Sequence, residues 1–214
     1  MERIGSMSSG KYFDSVAKEW DTMQRSFFSE KVREKAFTVA DIKEGRLAAD
    51  IGAGTGFITE GLVKKGVKVI AVDQSKNMIE EMKKKISKVY GIDYRIGGIE
   101  NLPIADKTVD YVFANMVLHH VDSPPDAIRE MTRILKPEGK IIVTDLDEHN
   151  FVFLKSEHQD RWMGLKRDDV RKWFFNAGLE KISVDCVGEN CCATSSSGCE
   201  NAVVSIFIAF GQKR

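Results

Sequence analysis

Short runs of consecutive apolar residues alternate along the chain with stretches whose apolar side chains recur every three or four positions. The runs fall at 47–51, 67–72, 92–96, 109–115 and 140–145, and each reads as a strand buried on both faces. Between them the spacing predicts a helix after Gly56, one through Met78, Met82, Ile86 and Val89, and one that begins near Pro124 and Pro125 and stops before the Lys136-Pro137-Glu138-Gly139 turn. Two helical patterns precede the first strand, one with Tyr12, Phe13, Val16 and Trp20 on a face, the other with Val32, Ala36, Val39 and Ala40. The tail adds an amphipathic helix at 168–177 capped by Gly178, a strand at 182–187, a small polar loop at 188–201 and a last strand at 202–210. Alternation of this kind predicts an α/β fold, a doubly wound sheet with helices on both faces.

Length and charge narrow the class. At 214 residues the chain is expected to form one domain, with N-terminal helices at 1–45, a core at 46–145 and a cap with the final strands at 146–214. Its 32 basic and 32 acidic residues cancel, so bulk charge recruits neither nucleic acid nor an acidic membrane surface. A small-molecule partner is expected. The opening MERIGSMSSG has no apolar core of signal-peptide length, and the apolar run at 203–210 is too short to span a bilayer, so a cytoplasmic location is expected.

Chemistry enters at "ADIGAGTGF", which sets Gly52, Gly54 and Gly56 between a strand and a helix. In an open α/β sheet that turn faces the ligand crevice, and glycine lets the backbone approach the ligand. Phe57 stands where the dinucleotide fingerprint would need its third glycine, which disfavours a pyrophosphate cradle. Asp73 closes the second strand about twenty residues later, where a carboxylate can accept from both hydroxyls of a ribose.

With those residues stand "VIAVDQSKNMIEEM", "GGIENLPIADKTVDYVFANMVLHHV" and "EMTRILKPEGKIIVTD". Together they resemble the successive motifs of class I S-adenosylmethionine-dependent methyltransferases, in particular the branch with the ubiquinone and menaquinone C-methyltransferases and the arsenite methyltransferases. The resemblance implies a Rossmann-like seven-stranded sheet with an antiparallel last strand, and S-adenosylmethionine as cofactor. It implies Asp50, Gly52, Gly54 and Thr55 at the methionine end, Asp73 on the ribose, Gly98 and Ile99 beside the adenine, and Asn115 closing the site; Gly56, Gln74, Met78 and Glu100 complete the implied contacts. Gly98 stands where the family usually carries an acid, which leaves adenine recognition to backbone groups or Glu100.

For the acceptor, the strand ending at Asn115 continues as Met116-Val117-Leu118, without the Asn-Pro-Pro-aromatic motif of amide methyltransferases, and no cysteine precedes Cys186 to serve as a cytosine-C5 nucleophile. "CCATSSSGC" concentrates Cys191, Cys192 and Cys199, and the resemblance places the turn after the 182–187 strand at the ligand edge. Three soft sulfurs suit a thiophilic metalloid such as arsenite, which is one expected acceptor. Two departures stand against it: arsenite methyltransferases usually contribute a cysteine from nearer the glycine loop, and they are longer. A plain surface loop with incidental thiols is the alternative for the three, and a buried small hydrophobe is the expectation for Cys186. Zinc would need a fourth ligand, from His149 or His158, and Cys-Cys-x6-Cys is not a usual spacing, so no metal site is assigned.

His119 and His120 are the candidate catalytic residues, as base or acceptor contact, with packing or capping as the alternative role. Asp145, Asp147, Glu148 and His149 read as a solvated acidic turn, with a group that holds a metal or orients a substrate as the alternative. The resemblance implies a lid helix over the cofactor carrying Tyr12, Phe13 and Trp20, with packing of that helix as the equal alternative, and His158, Trp162 and Met163 as pocket wall. The remaining readings are a small-organic C-, O- or N-methyltransferase and a non-catalytic S-adenosylmethionine-binding or thiol-metal sensor.

Overall fold

A computed structural model of the chain describes residues 9–86 and 91–214. The expectations for the opening MERIGSMS segment and for Val89 lie outside them. The described residues begin with three helices, α1 (Ser9–Val16), α2 (Trp20–Phe27) and α3 (Glu30–Ala40), and then alternate β1 (Leu47–Ile51), α4 (Phe57–Lys64), β2 (Lys68–Asp73), α5 (Lys76–Lys85), β3 (Ile92–Ile96) and β4 (Val109–Asn115). A 3-10 turn at Leu118–His120 leads to α6 (Pro124–Ile134), β5 (Leu135–Leu146), α7 (Val152–Glu157), α8 (Arg167–Asn176), β6 (Leu179–Thr194) and β7 (Asn201–Lys213).

The seven strands form one sheet in the order β3-β2-β1-β4-β5-β7-β6. β1 to β5 pair in parallel, and β7 lies antiparallel to both β5 and β6. Side chains of successive strand residues enter opposite cores: Ala49, Ile51, Val112, Ala114, Ile141 and Val143 pack with α6 and α8, whereas Ala48, Tyr111, Phe113 and Ile142 pack with α3, α4 and α5. Burial of both faces is why these strands are continuously apolar rather than alternating. The strand order reverses between β1 and β4, so the crevice for a ligand opens at their C-terminal ends. No described helix is long and apolar enough to cross a membrane.

Three elements differ from expectation. The Tyr12 to Trp20 pattern is split, because α1 ends at Val16 and Trp20 opens α2. β5 starts at Leu135 and carries a register shift opposite Val109/Tyr111, so the Pro-Glu-Gly segment belongs to the strand. The largest difference is in the tail: β6 continues to Thr194, pairing Cys191 with Val204 and Thr194 with Asn201. The small, polar composition of 188–201 suggested a loop, yet Cys191, Ala193 and Ser195 are buried while Cys192 and Thr194 are exposed. That two-residue period is a strand's.

Candidate active site

The larger of two adjoining cavities, about 210 Å³, lies over the C-terminal ends of β1, β2 and β4. Ten of the twelve residues expected around the cofactor line it: Asp50, Gly52, Gly54, Thr55, Asp73, Gln74, Met78, Ile99, Glu100 and Asn115. Gly56 and Gly98 do not. A Cβ on Gly56 would meet Met82 Cγ at 2.7 Å and Ile86 Cδ1 at 2.9 Å, so this glycine permits α4 to approach α5. Gly98 is next to the wall residues Gly97 and Ile99 without lining the cavity itself.

The glycine turn is held by carboxylates. Asp73 accepts from the amides of Gly54 (2.8 Å) and Ser75 (2.8 Å), and Asp50 accepts from the Thr59 amide (2.9 Å) and hydroxyl (2.6 Å). Burial raises the pKa of both acids against those hydrogen bonds, that of Asp50 up to about 7. Gly52 and Gly54 have φ of +66° and +53°, a conformation that strains any other residue, and a Cβ on Gly52 would come within 2.5 Å of Val117 Cγ2. On β4, Asn115 Oδ1 accepts from the Thr144 hydroxyl at 2.7 Å.

Helices α1 and α2 cover this cavity. Ser75 Oγ donates to Asp14 at 2.6 Å, Asn77 Nδ2 donates to the Asp14 carbonyl at 3.0 Å, and Thr55 Oγ1 donates to Asp21. These contacts bring Phe13, Trp20 and Gln24 over the opening, with Phe28 just after α2. Sequence reasoning named the aromatics of α1 and Trp20 as a lid, but missed Gln24 and Phe28. The available signal was spacing: Gln24 and Phe28 follow Trp20 at intervals of four within "WDTMQRSFF", on one helical face.

A smaller chamber of about 50 Å³ adjoins the first and shares Trp20, Phe28, Met116 and His120 with it. Tyr12, Phe27, Leu146, Leu154 and Ala193 supply apolar wall; His119, His158, Asp160 and Cys191 supply polar groups. His119 Nδ1 is 2.5 Å from Asp145 Oδ1, and Asp145 also accepts from the amides of Leu118 and Leu146, each at 2.8 Å. Burial pulls the His119 pKa down, but Asp145 and Asp160 outweigh it and hold it up at about 9. His120 goes the other way, well below the usual range, through burial and then the charge of His119. Burial lifts Asp160 to about 6 against the pull of His119. Asp160 had no sequence signal beyond its place in the cap segment.

The three cysteines do not converge. Cys191 lines the chamber and is buried, Cys192 faces the opposite side of the same strand, and Cys199 is exposed in the turn between β6 and β7. Burial pushes the Cys191 thiol up to about 12, so it is protonated at neutral pH, whereas soft-metal ligation needs the thiolate. Cys186 is exposed rather than buried: its Sγ accepts from the Gly188 amide at 3.3 Å beside an irregularity in β6 between Cys186 and Asn190. The acidic turn divides likewise. Asp145 is buried under His119; Asp147 pairs with Arg167 (2.5 Å), Glu148 with Lys166 (3.5 Å), and His149 Nδ1 accepts from the Phe151 amide (3.2 Å). Of the proposed wall residues, His158 lines the chamber, while Trp162 donates to the Val121 carbonyl and neither it nor Met163 lines either cavity.

Residues 49–143 match the family described as methyltransferase domain. Over 120 residues the chain is 34% identical to the biotin biosynthesis bifunctional protein BioHC of Cellvibrio japonicus, covering 55% of this chain and spanning only 24% of that protein. It is 27% identical over 208 residues to the demethylmenaquinone methyltransferase of Bacillus cereus, covering 80% of this chain and 87% of the relative. The fold is that of a S-adenosylmethionine-dependent methyltransferase from Aquifex aeolicus, with a TM-score of 0.69 at 19% identity over 94% of this chain and 98% of that one.

Proposed function

The chain is a class I S-adenosylmethionine-dependent methyltransferase, and from that premise we propose that it methylates a small, largely apolar acceptor held in the chamber between α1, α2 and β6. The observation that carries this reading is the shared wall: Trp20, Phe28, Met116 and His120 border both cavities, so a group at the mouth of one faces the contents of the other.

The larger cavity fits the cofactor by its donor set. Carboxylates at Asp73 and Glu100 suit hydroxyl and amino groups at one end, Ile99, Met78 and Phe13 suit an aromatic base, and the exposed backbone of Gly52 and Gly54 with Asp50 and Asn115 suits the amino-acid end. Bound there, S-adenosylmethionine supplies a methyl group on a strongly electrophilic sulfonium. The chain's own contribution is alignment and exclusion of water. Trp20 and Phe28 wall off both partners, and the ion-paired floor of His119 and Asp145 fixes the position of His120 beside them. At about 50 Å³ the chamber is smaller than the roughly 150 Å³ that takes up a benzene ring, so a ring enters only by reaching into the larger cavity or as α1 and α2 move. An aromatic acceptor also agrees with the quinone named for the Bacillus cereus relative. A three-thiolate arsenite site has no support, since one thiol alone of Cys191, Cys192 and Cys199 reaches the chamber.

The test is production of S-adenosylhomocysteine and methylated product from small phenols, quinols, amines and thiols, compared between wild type and Ala193→Leu. Ala193 lines the chamber and not the larger cavity. Filling it is expected to lower turnover at least tenfold and leave cofactor affinity within twofold. Full turnover in Ala193→Leu would place the acceptor elsewhere.

A further inference from the structure

Asp160 is a nearly buried carboxylate, 5% exposed, and among the described residues no hydrogen bond reaches its oxygens. Buried carboxylates are ordinarily paired and hydrogen-bonded, because desolvation of the charge is otherwise uncompensated. Its Oδ1 instead lies 3.6 Å from His119 Nε2 and 3.7 Å from His120 Nδ1, beyond hydrogen-bond reach of both. One nitrogen of each imidazole and one oxygen of Asp160 all lie within 4.8 Å of one another. Two ligands on a common ion, each at the usual metal–nitrogen or metal–oxygen distance, are separated by roughly 3.0 to 3.4 Å. The two His–Asp distances are within a few tenths of an ångström of that separation, and the two imidazole nitrogens, within 4.8 Å, draw together further on a shared ion.

We propose that His119, His120 and Asp160 bind a divalent ion of borderline softness, of the zinc, cobalt or ferrous class, at the inner end of the chamber. Two imidazoles and one carboxylate are a donor set such ions favour, whereas magnesium and calcium favour oxygen alone. The support around the cluster is of the kind metal-bound imidazoles receive. Asp145 fixes His119 through Nδ1 and leaves Nε2 toward Asp160; on His120 the Nδ1 contact to the Gln159 carbonyl, 3.2 Å, is given up when that nitrogen ligates. One further donor lines the same chamber: His158, whose Nε2 is buried without a partner among the described residues.

Three protein ligands leave coordination positions open, and His120 borders both cavities. The inference thus deepens the acceptor reading and rests on it for its biological meaning: the acceptor class becomes one with adjacent oxygen donors, such as a catechol, an enediol or a hydroxy ketone, able to chelate the ion.

Metal binding is measured on untagged protein without cofactor or acceptor, so that it and the methyltransferase reading fail separately. Cobalt(II) and zinc(II) are titrated into a background in which Cys186, Cys192 and Cys199 are replaced by Ser, since exposed thiols bind both ions. The expected result is one equivalent bound, weakened at least tenfold by Asp160→Asn and by His120→Gln, with the visible cobalt bands of a nitrogen- and oxygen-ligated ion. Cofactor binding and melting temperature of Asp160→Asn report that the fold is intact; should that variant unfold, His120→Gln carries the comparison. No stoichiometric binding, or binding indifferent to both substitutions, overturns the site and leaves turnover to S-adenosylhomocysteine to judge the enzyme reading by itself.

Discussion

The two adjoining cavities are built by different means. The larger one is assembled from the ends of neighbouring parallel strands, and its shape is set by main chain: a turn at positive φ, two amides pointed at Asp73, and a serine that both caps α5 and ties down α1. The smaller one is assembled from side chains as far apart in sequence as Tyr12 and Ala193, and at its floor are buried ionisable groups. A backbone-built site is intolerant of added atoms but indifferent to many side chains. A side-chain-built site depends on charge pairing in a dry setting, where losing one partner is costly.

Substitutions at matched positions sharpen that contrast, and the largest effect is expected under the chamber. Asp145→Ala removes the acceptor of three hydrogen bonds and leaves the buried His119 and two amides without it. Breaking a buried pair costs about 3 to 5 kcal/mol, which for a chain of this size lowers the melting temperature by roughly 10 °C. A melting temperature within 2 °C of wild type, on the scale of ~1 kcal/mol, would show that the pair contributes little. Next is Gly52→Ala in the larger cavity, where the new methyl both meets Val117 and forces a non-glycine residue to φ of +66°. Strain and overpacking together come to about 2 to 4 kcal/mol, read from denaturant midpoints, with cofactor affinity falling at least tenfold. Gly188→Ala is its control in β6: φ there is +86°, but nothing lies within 4 Å of the added atom, so strain alone, about 1 kcal/mol, is expected.

The same difference decides what could be read from the sequence. The glycine turn, Asp73 and Asn115 sit at fixed offsets within strand–turn–helix units, so local spacing was enough to bring ten expected residues to one cavity. Gly56 and Gly98 were in the same segments, but whether a residue faces a cavity or a neighbouring helix depends on packing that spacing does not encode. The chamber needed contacts across most of the chain. Nothing local distinguishes Asp160 from a surface acid, and the cysteine segment was misread because composition was weighed above its two-residue period. His119 and His120 were recognised as a pair, yet their opposite environments follow from Asp145 and Asp160, one on β5 and one in the cap.

A titration probes the backbone-built cavity. Asp50 has its folded pKa raised from 3.8 to about 7, so between those values the folded state holds more protons than the unfolded one. Stability therefore falls as pH rises from about 4 to about 7 and is level above that range. Asp50→Asn retains an acceptor for Thr59 and has no charge to bury. The difference in stability between variant and wild type should grow in favour of the variant across that window, by on the order of 4 kcal/mol, when urea midpoints are compared at intervals from pH 4 to pH 8. A difference independent of pH would mean that Asp50 ionises in the fold as readily as in water.

The smallest effects are expected where the sequence drew most attention. Cys192 and Cys199 are exposed and line neither cavity, so Cys192→Ser and Cys199→Ser should leave stability within about 0.5 kcal/mol, as surface substitutions do, and turnover within twofold. Cys191→Ser differs because the side chain is buried on the chamber side of β6, among Phe28, Val32, Leu154 and Ile206. A hydroxyl there replaces a weakly polar thiol in an apolar setting, a change of about 1 to 2 kcal/mol, and it alone of the three should alter acceptor kinetics. If the three variants instead behaved alike and all abolished turnover, the hairpin would have to fold back over the chamber during catalysis, and the separation between a backbone-built cofactor site and a side-chain-built acceptor site would give way to a loop that closes both. Equal silence of all three would make Cys191 one more wall residue, and the polar chemistry of the chamber would rest on His119, His120, His158 and Asp160.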